Sequence, residues 1–415
     1  MPIFLTQSQS DAIPTLLATL EANRAAARDY IYPAKSMSYQ DGRLVLESKN
    51  AFRVGDRVYT EWADAEKAAD ESDKPVEFES NATAPLKTNK TAFAQLRNAM
   101  SIPAKYVDTL REAGQHDLLD HNVAQRLAGV GKRFLIRTLP DASGEQYVRA
   151  FLSDHYKMLD NADLFFAAAT AMTETDDAGK QRAHLWKARL EEDTFEMFAV
   201  SPTVQGLVRK DRPDGRHISH HIDKRPTGDD DKGDAFYASV YLRNSETGRG
   251  GMSVQFSTFC SACTNFCIYD RAISRIHLGG TIENDGIIYS DETRKVESQA
   301  TWLKIQDAVR TAFDPEKFQG LIDRLNEATQ IVVVKPEAAV NHLVRQYELP
   351  EARRQDILSA MLSSNDFSGY GLVQAVTAVG RDVQSADSGT AAQLERLGGT
   401  LIGDMTSLNG IAVAC

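Results

Sequence analysis

Three of the four cysteines fall within eight positions, Cys260-Ser-Ala-Cys263-Thr-Asn-Phe-Cys267, and His277 follows ten positions after the last of them. Three thiolates and an imidazole are a donor set for tetrahedral zinc, and clustered thiolates also serve iron–sulfur clusters. The spacing does not form two C-x2-C units, and free cysteine is among the most buried residue types. The expectation is a set of small buried residues, with no metal and no disulfide. A second cluster, His217, His220, His221 and Asp223, offers nitrogen and oxygen donors to a divalent metal, and so to a metal-dependent enzyme. It lacks the His-Glu-x-x-His spacing that puts two imidazoles on one helical face, and Pro213, Gly215 and Pro226 around it predict a loop. No cofactor is expected.

Cations surround those histidines. Between Ser201 and Pro226, Arg209, Lys210, Arg212, Arg216, Lys224 and Arg225 outnumber Asp211, Asp214 and Asp223 by six to three, and the acidic run Asp229, Asp230 and Asp231 comes directly afterwards. Further on, Tyr237, Tyr241 and Arg243 share one side of a period-two pattern whose other side is Ala238, Val240 and Leu242. Cations for phosphates and aromatic planes for bases are the two ingredients of single-strand binding, where each stacked base contributes roughly 1 to 3 kcal/mol. These nine residues are the candidate nucleic-acid site, and single-stranded DNA and further copies of the chain are the expected partners. The bland alternative stays open, in which the tyrosines pack under a covering element and the cations are merely solvated.

The run Arg243-Asn-Ser-Glu-Thr-Gly-Arg-Gly-Gly has glycines and backbone N–H groups suited to a phosphate, but no Walker lysine follows. A hairpin loop with glycines at positive φ is the expectation. Neither a G-x-S-x-G elbow nor a kinase or dinucleotide signature occurs, so a nucleophile-dependent hydrolase has no positive support.

The elements that must carry these residues are predicted from periodicity. Phe236 to Arg243 and Met252 to Phe256 alternate as two strands of an antiparallel hairpin. Further strands are predicted at 133–139, 147–153 and 183–190, all in one mostly antiparallel sheet. Asp11 to Arg28 has Ile13, Leu16, Leu17 and Leu20 at helical spacing, and the Asp41-Gly42 pair between alternating runs marks a hairpin. Asn89 is placed to cap a helix carrying Phe93 and Leu96, Pro103 restarts a second helix, and a third is expected over 160–171. Residues 71–85 are polar without period and predict a loop. After Asp291, Trp302, Ile305, Val309 and Phe313 recur at helical spacing, and Pro315 opens another helix behind Asp314. The expected fold is α+β: a helix-and-hairpin subdomain over 1–85, a central α+β domain over 86–290 with helices inserted around the sheet, and a helical C-terminal region over 291–415.

The runs FLSDHYKMLDNADLF (151–165), LRNSETG (242–248), Cys263-Thr264-Asn265 and RIHLGG, in this order, resemble the phage- and plasmid-borne protein family catalogued as domain of unknown function 932. The likeness extends to AFAQLRNAMSIPAKYV (92–107) and YGLVQAVTAVGRDV (370–383), so it covers most of the chain from about Thr91 onwards. Phe266 stands where such proteins usually have Gly, and Cys260 and Cys267 are additional. The resemblance implies a mobile-DNA context and no catalytic residue.

Composition sets the outer bounds. At 415 residues two or three compact units are expected, and 42% hydrophobic with 25% charged residues is ordinary for a globular protein, which argues against long disorder. No run of about 18 apolar residues and no basic-then-apolar N-terminus occurs, so a cytoplasmic protein is expected. The net charge of −11 opposes indiscriminate attraction to nucleic acid, and any binding must come from a local patch. The same acidity would suit a protein that imitates DNA to block a host defence.

Overall fold

The computed structural model describes residues 7–46, 50–55, 57–59, 62–72, 74–80, 85–156, 159–176, 179–209, 233–261, 264–275, 291–383, 388–403 and 413–414. Two sheets organise them. The first has nine strands: β1 (Arg28–Pro33), β2 (Met37–Gln40), β3 (Arg43–Leu46), β4 (Asn50–Val54), β5 (Arg57–Tyr59), β6 (Val76–Ser80), β7 (Leu86–Thr88), β8 (Arg133–Pro140) and β9 (Gln146–Ser153). Their order is β2-β3-β7-β9-β8-β1-β5-β4-β6, with only β1–β5 and β7–β9 parallel. The second holds β10 (His184–Leu190), β11 (Phe195–Arg209), β12 (Gly233–Asn244), β13 (Met252–Cys260) and β14 (Phe266–Arg275), antiparallel and in chain order. A two-stranded pair, β15 (Val332–Val333) and β16 (Val413–Ala414), completes the strands.

The helices are α1 (Gln7–Ala26), α2 (Trp62–Ser72), α3 (Lys90–Ala99), α4 (Ala104–Glu112), α5 (His116–Ala128), α6 (Asn161–Thr173), α7 (Asp291–Ala312), α8 (Pro315–Gln330), α9 (Pro336–Gln346), α10 (Glu351–Ser364), α11 (Gly369–Val383) and α12 (Ser388–Gly403). The fold is thus α+β with a mostly antiparallel sheet framework and a helical C-terminal part. The strands expected in one sheet are divided between two, with those near Arg133 and Tyr147 in the first and those near Ala183, Tyr237 and Met252 in the second. The boundary expected near residue 85 separates nothing, because β7, β8 and β9 share a sheet with β1 to β6. Residues 76–80, expected as loop, form the edge strand β6.

Local chemistry accounts for the element ends. Asp41 and Gly42 have φ of 49° and 71°, the positive pair that a two-residue hairpin turn requires. The Asn89 side chain accepts the N–H of Ala92 at 2.7 Å and starts α3. Asp314 accepts the N–H groups of Glu316 and Lys317 at 2.9 and 3.2 Å, with Pro315 at the first helical position of α8.

The nine-stranded sheet packs Tyr39, Leu44, Ile136 and Val148 against Phe93, Leu96, Val107 and Leu127 of α3 to α5. On the five-stranded sheet, Met197, Ala199, Ala238, Val240, Leu242 and Val254 face the helical layer with Leu164, Val309, Leu321 and Val376. The C-terminal helices therefore cover this sheet. Each fully buried aliphatic or aromatic side chain contributes roughly 1.5 to 3 kcal/mol relative to exposure.

Candidate functional site

The glycine-bearing run after Arg243 turns between β12 and β13, and its polar groups are taken up by the protein itself. Asn244 donates to the carbonyl of Leu159 and to Asn161 Oδ1 at 2.7 and 2.9 Å, Gln95 donates to the carbonyl of Thr247 at 2.6 Å, and Tyr156 donates to the carbonyl of Ser245 at 3.0 Å. Glu246 accepts the N–H of Asn161 at 2.6 Å and pairs with Arg149 at 2.6 Å. Gly248 has φ of 75°, and a Cβ there would meet Leu152 Cδ2 at 2.7 Å. The turn is a plug that joins the two sheets through α6, and it is not a phosphate cradle.

Arg137 of β8 extends the junction. It bonds Asp29 at 3.0 Å, Asp160 at 2.9 Å and the carbonyl of Glu246 at 3.1 Å. Burial pushes the Asp29 carboxyl up despite Arg137, whereas at Asp160 burial is outweighed by Arg137 acting together with Arg149 and Arg24, which hold the carboxyl low. Asp160 is the N-cap of α6 but makes no capping bond with its side chain; Glu246 supplies the acceptor at that helix end instead.

The second face of the five-stranded sheet decides the fate of the candidate tyrosines. Phe198 of β11 and Phe266 of β14 have ring centroids 4.2 Å apart, as Trp186 of β10 and Phe259 of β13 do at 4.3 Å. Each pair lies three strands apart, which a flat sheet would separate by roughly 14 Å. The sheet must therefore curl about this face. Inside the curl Tyr237 and Tyr241 are 4% and 1% exposed, so neither offers a plane to a base. Alternation correctly assigned them to one face, but both faces of this central strand are buried. The Tyr241 hydroxyl donates to Glu196 at 2.6 Å, and burial, then the Glu196 charge, raise its pKa well above the ordinary phenol value. Arg243 lies 3.6 Å from the same carboxylate.

One end of the curl is polar. Lys187 Nζ stands 4.3 and 4.6 Å from the ring centroids of Phe198 and Phe266, and 3.8 Å from Glu395 of α12. Arg396 donates to Gln255 at 3.3 Å. Burial pushes Glu395 up to about 7, with Lys187 pulling it back and Glu196 pushing it further. Burial likewise lowers the Lys187 pKa, opposed by Glu395 and Glu196. Perturbed proton affinities of this kind occur in functional and in structural ion pairs alike. Glycines let α12 approach, since a Cβ at Gly399 would run into the Ile268 carbonyl of β14. Lys187, Glu196 and Glu395 come from distant segments without a shared motif, and no sequence signal joined them.

The remaining candidates divide. Arg209 ends β11 opposite Gly233, whereas Arg243 sits near the other end of the same ladder, roughly 30 Å away at the usual strand rise. The structure does not bring Arg243 to Arg209. Lys210, Arg212, Arg216, Lys224, Arg225 and the histidines His217, His220 and His221 lie outside the described residues, as do Cys263 and His277. Cys260 and Cys267 are buried and form no disulfide, and burial raises the Cys267 thiol pKa. Among the described residues no three His, Cys, Asp or Glu side chains gather as a metal site, and no helix is long and apolar enough to cross a membrane. No protein-family model, curated protein or solved structure matches the chain.

Proposed function

We propose that this is a nucleic-acid-binding protein of a phage, prophage or plasmid, acting in the cytoplasm on single-stranded DNA during recombination or replication. The observation that carries the reading is the end of the β11–β12 ladder, between whose strands the basic run falls in sequence. The β11–β12 ladder runs to the pair Arg209–Gly233, so the segment bearing Lys210, Arg212, Arg216, Lys224 and Arg225 joins the two longest strands of the sheet, at the end away from the plug at Asn244. The resemblance to a mobile-element family supports the setting. With Tyr237 and Tyr241 inside the curl, affinity rests on phosphate contacts, and the tyrosines are withdrawn from the site.

Titration of labelled single-stranded and double-stranded oligonucleotides with the full chain tests the proposal. Tighter binding of the single strand, lost when Arg212, Arg216 and Arg225 are changed together to Gln, is the expected result. Equal binding by that variant, or no binding at low salt, overturns it.

A further inference from the structure

A cleft of about 610 Å³ opens between α3, α4, the first turn of α5 and the Asp41–Gly42 turn, far in sequence from the basic segment. Its size falls within the roughly 300 to 1,000 Å³ of small-molecule sites. Two helical faces wall it, Lys90, Phe93 and Arg97 from α3 and Val107, Asp108 and Arg111 from α4, each set at the spacing of a single face. The floor is apolar and aromatic. Phe93 and Tyr39 are buried with ring centroids 5.9 Å apart, and the Tyr39 hydroxyl donates to the carbonyl of Gly42 at 3.0 Å.

Arg137 and Arg149 are held by carboxylates, but Lys90, Arg97 and Arg111 make no hydrogen bond or ion pair among the described residues, although Asp41 and Asp108 line the same cleft. The Arg111 guanidinium carbon lies instead over the Phe93 ring, 4.5 Å from its centroid. A guanidinium placed over a ring is a group on which a base can stack. Asp120 accepts the N–H of Gly42 at 3.0 Å through one oxygen only. Unpaired cations, unpaired carboxylates and an aromatic floor in one concavity match a ligand that carries an anion, a planar ring and N–H donors together.

We propose that this cleft binds a nucleoside phosphate, with the phosphate on Lys90 and Arg97, the base stacked on Arg111, and Asp108 accepting an N–H of the base. Guanine, which presents adjacent N–H donors to a carboxylate, is preferred over uracil. The residues that line the cleft are far in sequence from 209–225, and the success or failure of this proposal does not depend on the reading proposed above.

Calorimetric titration of the full chain with guanosine 5′-phosphate, uridine 5′-phosphate and inorganic phosphate decides the matter. Guanosine 5′-phosphate should bind roughly tenfold more tightly than uridine 5′-phosphate, because one good carboxylate–base contact discriminates at about that level. Inorganic phosphate should be weaker still. Arg111→Gln should weaken guanosine 5′-phosphate binding roughly tenfold. Lys90→Gln, a change at an exposed residue with no partner to lose, should act in the same direction with an unchanged melting curve. Arg126→Gln, exposed on α5 outside the cleft, and neutralisation of Arg212, Arg216 and Arg225 should both leave it unaffected. No binding at millimolar ligand, equal affinity for inorganic phosphate, or wild-type affinity in Lys90→Gln and Arg111→Gln would each overturn the proposal.

Discussion

Arg149 of β9 and Glu246 at the tip of the β12–β13 turn form an ion pair of 2.6 Å with side chains only 7% and 12% exposed, and this pair ties one sheet to the other. The second Glu246 oxygen takes the N–H of Asn161, so one carboxylate serves a sheet, a hairpin and a helix end. Removing one member of a buried pair leaves its partner uncompensated, which costs about 3 to 5 kcal/mol. Glu246→Ala is expected to lose stability on that scale in urea unfolding. A loss below about 1 kcal/mol would mean that water or another side chain compensates Arg149.

Tyr241 is structural on this account. Tyr241→Phe deletes the donor to the Glu196 carboxylate and should destabilise the fold by about 1 to 3 kcal/mol. It should leave oligonucleotide affinity unchanged. Weaker binding in Tyr241→Phe without loss of stability would restore the tyrosine to a binding role.

Glu395 gives the protein a pH-dependent contribution of definite sign. Its folded pKa of about 7 lies above its ordinary 4.5, so between those values the unfolded chain has released a proton that the folded chain keeps. Stability from this group is fully present below about pH 4.5 and is lost as pH rises through about 7. Glu395→Gln mimics the neutral form, and Lys187 keeps its contacts with two rings. The variant should flatten the stability profile between pH 5 and 7 and be at least as stable as the parent at pH 8. An unchanged slope would assign the dependence to another group.

Gly399 is where α12 meets the backbone of β14. A methyl there would collide with the Ile268 carbonyl and the Cα of Tyr269, neither of which can rotate away. Gly399→Ala should cost about 1 to 3 kcal/mol or more, and limited proteolysis should cut near α12 first. Unaltered melting would show that the helix can shift without loss.

Much of this architecture was legible because it is local. The Asp41–Gly42 turn, the Asn89 and Asp314 caps and the two faces of β12 each depend on residues a few positions apart. Pairing is a different matter. β1 joins β8 across about a hundred positions, and alternation in β8 and β9 does not say which sheet receives them. The tyrosine face failed as a binding surface for a related reason. Tyr237 and Tyr241 alternate like residues of an open face, and only the contacts of Phe198 with Phe266 and of Trp186 with Phe259, across three strands, reveal that the sheet curls over them. Period two reports that a strand has two environments, without saying that either one is water.

Salt dependence of single-strand binding tests the central claim most directly. If the cations from Arg209 to Arg225 contact phosphates, the logarithm of the affinity should fall linearly with the logarithm of salt, with a slope of about −0.7 per contact. Replacing Arg216 by Gln should reduce the slope by about one contact, whereas Tyr241→Phe should leave it alone. A slope near zero, or one that Arg216→Gln, Arg212→Gln and Arg225→Gln all leave unchanged, would contradict the account.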